Sequence, residues 1–195
     1  MKIAKLLTGH KFDSLITCAN SAEKHLKENK ADILTTRNDY LNKLKSDSIH
    51  LSLLTIAVYI AINMMLNFLS ILPYTIISIS FNIPTPIMVA QIYIPLMLFW
   101  VTSVFSFKII LKGRSIGLII YKYMFLTECF LFFLSLFFYT STEKDYWQIK
   151  ITNAGILLWC RSLMNSRSFD GLVKFYIYRR LSTSLPLFRI KKPQL

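Results

Sequence analysis

Few residues in this chain have the type and spacing that chemistry would require. The histidines His10, His25 and His50 stand at no metal-ligand spacing with one another or with carboxylates, and no Gly-rich phosphate loop, nucleophile elbow or HExxH pattern occurs. The expectation is therefore a protein that is not an enzyme and holds no cofactor and no metal. Glu128 is different, because it is the one acidic residue inside a long apolar run. An ionised carboxylate in such a run costs several kcal/mol unless it is paired. Lys122 and Arg161 are the candidate charge partners. A lone carboxylate could couple to protons or cations; a paired or neutral one is structural.

Polar stripes accompany it. Thr55, Tyr59, Asn63 and Asn67 recur every four residues, Gln91, Thr102 and Ser106 share an approximate face with Pro95, and Tyr121, Glu128 and Ser135 recur every seven. Meeting inside a helix bundle, these groups would bond across helices at about 0.6–2 kcal/mol each. Glu128, Asn63, Asn67, Tyr59 and Gln91 make up the candidate intramembrane polar site. Ala57 and Ala61 form a small-xxx-small pair that permits close helix approach.

The elements that must position these residues follow from the charge distribution. Hydrophobic residues are 54% and charged residues 17% of the chain, against about 25% charged in a soluble domain. No Asp, Glu, Lys or Arg occurs between Asp47 and Lys108. One bilayer crossing needs about 20 apolar residues, so that interval holds more than one. The composition and patterning predict an all-α, polytopic helical membrane protein. No apolar stretch of signal-peptide length follows Met1, because Lys5, His10, Lys11 and Asp13 interrupt it. The first membrane segment is then expected to act as an uncleaved anchor. Cys18, Cys129 and Cys160 give neither a disulfide framework nor a zinc pattern.

Residues 1–47 read as a cytoplasmic amphipathic helical segment. Phe12, Ala19, Leu26, Ile33 and Tyr40 recur every seven residues, extended by Leu15, Ala22 and Leu44. Asn29, Thr36 and Lys43 at companion positions weaken a long coiled coil. The face should pack on the protein's own surface or on a partner helix.

Residues 48–164 read as a transmembrane bundle with spans at about 51–72, 87–107, 119–139 and 147–164. Pro73, Asn82, Pro84 and Pro86 mark a loop between the first two spans, and Pro95 a kink in the second. The turn at Lys108, Lys112 and Arg114 is basic. Trp147 is placed as an interface anchor. The fourth span is short, with Lys150 and Arg161 close to its ends, and both can snorkel to lengthen it. Basic loops stay in the cytoplasm, and residues 161–195 are basic too, so the expectation is four crossings with both termini cytoplasmic. Three crossings with an outside tail is the alternative.

Residues 165–195 read as a basic cytoplasmic tail. Phe169, Leu172, Val173, Tyr176, Ile177 and Tyr178 mix with Lys174, Arg179 and Arg180, as in an interfacial helix whose basic residues face anionic lipid. The end of the tail, with Arg189, Lys191 and Lys192 between Pro186 and Pro193, is expected to be extended. The net charge of +13 is accounted for by topology, so no nucleic-acid partner is expected, and no small-molecule substrate is evident. The expected partners are the lipid bilayer and another membrane protein, or a second copy of the chain.

In layout the chain is similar to small bacterial inner-membrane proteins that protect their host, such as immunity proteins against pore-forming colicins and plasmid or phage exclusion proteins. That resemblance rests on no residue motif and carries over no functional residue. It implies an interaction protein of the inner membrane acting by helix–helix contact. The alternatives are a small transporter or channel subunit using Glu128, and a holin-like pore former.

Overall fold

The computed structural model of the chain describes residues 2–27, 53–81, 84–138 and 144–184. Among the described residues it is all-helical, with seven helices and no strand: α1 Lys2–Thr8, α2 His10–Lys27, α3 Leu53–Ser80, α4 Thr85–Leu111, α5 Ser115–Phe138, α6 Lys144–Met164 and α7 Arg167–Ser184. Two helical stretches, Thr85–Leu111 and Ser115–Leu136, are long and apolar enough to cross a membrane, and Ile56–Leu69 is a shorter apolar helix. By themselves two such helices are weak evidence of a membrane location, since the core helix of a soluble protein passes the same test.

The breaks between helices are chemically specified. α1 ends at Gly9, whose φ of 94° is a left-handed conformation that suits glycine. α4 ends in a glycine cap, with Gly113 at φ 65°, the Gly113 N–H donating to Ile110 O at 2.8 Å and the Arg114 N–H to Ile109 O at 3.3 Å. A Cβ on Gly113 would also lie 2.6 Å from Tyr176 O on α7, so the turn needs glycine for two reasons. At the start of α7, Ser166 Oγ accepts from the Phe169 N–H at 3.2 Å, a serine N-cap. α4 opens after Pro84, whose carbonyl accepts from the Ile87 and Met88 N–H groups at 3.0 Å, and Pro86 lies in its first turn.

One expected break is absent. α3 runs through Pro73 to Ser80 rather than stopping at residue 72. Pro73 removes only the N–H that would reach Leu69 O, a loss a packed helix can absorb while the rest of its ladder stays intact. Pro95 lies inside α4, as expected.

The ring of Tyr59 near the start of α3 stacks on Phe107 near the end of α4, with centroids 3.7 Å apart, and is 6.1 Å from Tyr121 near the start of α5. α3 and α5 therefore run the same way, and α4 the opposite way. Tyr121 continues to Phe169 of α7 at 6.4 Å, and Phe169 to Phe12 of α2 at 6.0 Å. This aromatic chain is the centre of the core, and α2 and α7 close over it. Phe12, Leu15, Ala19 and Ala22 of α2 are all buried, so the described part of the N-terminal stripe packs on the protein itself. Ile33, Tyr40 and Leu44, with Asn29, Thr36 and Lys43, lie outside the described residues, as do His50, Asn82, Glu143 and the tail from 185 with Arg189, Lys191 and Lys192.

α7 departs from the sequence reading. Its apolar residues Phe169, Leu172, Val173, Ile177 and Leu181 are 1–2% exposed and belong to the core cluster. Periodicity identifies an apolar face but not what covers it. Here protein covers it, where a leaflet was expected. Burial along α4 is one-ended: only Ser103, Ser106 and Ile110 are buried, with nothing buried from Thr85 to Thr102.

Candidate functional site

Within the α3 stripe the polar groups do meet a neighbouring helix. Asn63 Oδ1 accepts from the Ser103 hydroxyl of α4. Tyr59 OH points at Ser103 O at 3.5 Å, at the long limit of a hydrogen bond. Asn63 Nδ2 donates to Tyr59 O at 2.8 Å and Asn67 Nδ2 to Asn63 O at 2.9 Å, so both amides also hold their own helix. The side chain of Thr55 lies outside the described residues. Across α4 and α5, Ser106 Oγ donates to Gly117 O at 2.7 Å, and a Cβ on Gly117 would come within 2.8 Å of Ser106 O. Small residues thus let α4 and α5 touch backbone to backbone.

Gln91 does not join this group. It is exposed on the outer half of α4. Fifteen residues at 3.6 per turn put it about 60° around the helix from buried Ser106, so it shares that face by angle but stands about four turns away along the axis. Thr102 instead donates to its own helix, at Leu98 O, 2.7 Å.

Glu128 is 1% exposed, and neither of its carboxyl oxygens has a hydrogen-bond partner among the described residues. Both expected charge partners are occupied elsewhere. Lys122 Nζ lies 2.6 Å from Asp13 Oδ1 on α2, because α2 tucks against the basic end of α5. Arg161 Nη2 donates to Leu6 O of α1 at 2.9 Å, while its buried Nε has no partner among the described residues. An ionised Glu128 here would bear the desolvation cost without compensation. Asn153 Oδ1 on α6 is likewise a buried acceptor with no donor among the described residues.

The residues that tie α2 to the bundle were not picked out by sequence reasoning. Glu23 Oε1 accepts from the Ser115 N–H, 2.8 Å away at the first turn of α5, and from Arg180 Nη1 at 3.3 Å. Arg180 Nη1 also donates to Gly113 O at 3.1 Å. Burial alone would raise the Glu23 carboxyl, but the Ser115 N–H and the Arg180 guanidinium together outweigh it and hold the group below its ordinary value. Arg180 was expected to face lipid and instead clamps this corner. Lys174 pairs with Asp170 at 2.9 Å, and Arg179 is exposed.

Asn165, between α6 and α7, is the other missed residue. Its Oδ1 accepts from the Phe12 N–H at 3.1 Å, and its Nδ2 donates to Thr8 O at 2.7 Å and Arg161 O at 2.8 Å. One amide thereby caps the end of α1 and the start of α2. No short-range signal could have found it, since its partners are 153 and 157 residues away. Compared with known proteins, the chain matches no family model, and no curated protein or solved structure matches it.

Proposed function

We propose that the chain is a four-crossing inner-membrane protein with both termini cytoplasmic, which acts by helix–helix contact with another membrane protein; immunity or entry exclusion is the preferred instance. The observation that carries this reading is the bareness of α4. From Thr85 to Thr102 it has no buried residue, yet Tyr93, Met97, Leu98, Trp100 and Val101 are each more than half exposed. A contiguous apolar surface of this kind is a liability in water and marks contact with lipid or another protein. Lys108, Lys112, Arg114, Arg161 and α7 all belong to the opposite end of the bundle, as the positive-inside rule asks of a cytoplasmic face.

The test is a photo-crosslinker placed at Met97 in native membranes, with the same probe at buried Ile110 as control. The reading expects one membrane protein captured from Met97 only. Recovery of no partner under conditions that preserve complexes counts against it, and a chain that stays dispersed in buffer without detergent removes its membrane premise. A second reading, a transporter or channel subunit, is favoured by the orphan carboxyl of Glu128. Ion flux in liposomes that disappears in Glu128→Gln would support it.

A further inference from the structure

Two cavities meet at Arg161. A cleft of 390 Å³ between α1, α5 and α6 is lined by Leu6, Phe125, Phe132 and Leu157 among others, with Arg161 as its one charged residue. This is within the range of ligand pockets, about 300–1,000 Å³. A pocket of 330 Å³ is lined by His10, Lys11, Ser162 and Asn165, and shares Leu158 and Arg161 with the cleft. No carboxylate lines either one. An apolar slot therefore opens past a guanidinium into a basic, polar recess. His10 and Lys11 are exposed there, in the first turn of the 18-residue helix α2, whose Asp13 is paired with Lys122 and lines neither cavity. Among the described residues Arg161 uses one Nη donor on Leu6 O and its Nε has no partner, so a fork with five donors is under-used. Trp159, 60% exposed two residues earlier on α6, is a residue type enriched where a membrane meets water.

We propose that these two cavities form a single binding site for an anionic phospholipid, with an acyl chain in the α1–α5–α6 cleft and the phosphate held by Arg161, Lys11 and His10. The site rests on the membrane reading above. A free phosphate would leave the cleft unfilled and a neutral lipid would leave the recess uncompensated. The combination selects an amphiphile with an acidic head.

Native mass spectrometry of the detergent-purified full chain, offered equimolar phosphatidylglycerol and phosphatidylcholine of identical chains, tests it. The wild type should retain one phosphatidylglycerol in clear preference. Lys11→Gln, a surface change, should cut that preference about fivefold, the value of one basic residue at an anionic surface, and Arg161→Gln by at least as much. Ala154→Trp, which fills the cleft, should remove the bound lipid of either class at unchanged phosphate chemistry. Equal retention of the two lipids, or a preference indifferent to Lys11→Gln and Arg161→Gln, overturns the proposal. So does a selective lipid that survives Ala154→Trp in a normally melting protein. A chain that needs no detergent would instead defeat the membrane reading, a separate and visible failure.

Discussion

Asn165→Ala is the substitution that most directly tests how the N-terminal helices are held. Phe12 and Thr8 are both 0% exposed, so removing the Asn165 amide strands a backbone N–H and a backbone carbonyl away from water. Each stranded group costs about 1–3 kcal/mol. The third bond, to Arg161 O, lies within one helix turn and adds little. A loss of about 3 kcal/mol follows, and at about 2–4 °C per kcal/mol for a chain of this length the melting temperature should fall by roughly 6–12 °C. Tryptophan fluorescence during heating in detergent micelles measures it. Asn165→Asp should fall between, since a carboxylate still accepts from the Phe12 N–H but faces the carbonyls of Thr8 and Arg161 with no proton to give. Limited proteolysis should then cut near Gly9 in the alanine variant before it cuts elsewhere. A variant melting within about a degree of the wild type would refute the reasoning, because two unmet buried backbone groups cannot cost nothing.

Three glycine substitutions should sort by backbone and space. Gly9→Ala and Gly113→Ala meet a positive φ together with Asn165 or Tyr176 in the way and should each lower the melting temperature by several degrees, whereas Gly155→Ala, with open space around its Cβ, should raise stability by about 0.5–1 kcal/mol. Acid should weaken the α2 clamp. Because the folded Glu23 carboxyl lies below its ordinary value of 4.5, its contribution is complete above that pH and is lost as pH falls through the lower folded value; the melting difference between wild type and Glu23→Gln should shrink across that acidic window. Glu128→Leu should raise the melting temperature, since an apolar group of similar volume replaces two unmet buried oxygens. A lower value would reveal a partner for Glu128.

Apolar runs made the helical class legible: α4, α5 and α6 begin and end within four residues of the intervals read from apolar runs and charges, while α3 runs eight residues past its expected end. Pro73 misled because a proline removes one donor and can leave the rest of the helical ladder intact. Gln91 misled because sharing a helix face with buried Ser106 does not fix how deeply that face is covered four turns away. α7 shows a different kind of illegibility: Phe169, Leu172, Val173 and Ile177 define an apolar face whether protein or lipid covers it. Lys122 chose Asp13, 109 residues away, over Glu128, six residues away. Spacing within a helix says nothing of which distant helix arrives alongside. Glu23 and Asn165 are hidden for the same reason.

The three clamps share a feature that bears on where a partner could act. Asp13–Lys122, Glu23–Arg180 and Asn165 with Thr8 and Phe12 each join α1 or α2 to a later helix, and all lie at the basic end of the bundle. The aromatic chain from Phe12 to Phe107 lies there too. These clamps are thus gathered at one end, while no residue of α4 from Thr85 to Thr102 is buried. Ser103→Ala or Ser106→Ala should therefore lower stability by about 1 kcal/mol each, and Tyr121→Ala, which empties a fully buried aromatic site, by about 3–5 kcal/mol. Substitutions of exposed apolar residues from Thr85 to Thr102, such as Tyr93→Ala or Met97→Ala, touch no named stabilising feature and should change stability by no more than about 0.5 kcal/mol. If the proposed helix–helix contact uses that surface, those same substitutions abolish partner capture at normal abundance and melting temperature. Loss of capture only with loss of folding would instead put the contact at the basic end, where α2 and α7 meet.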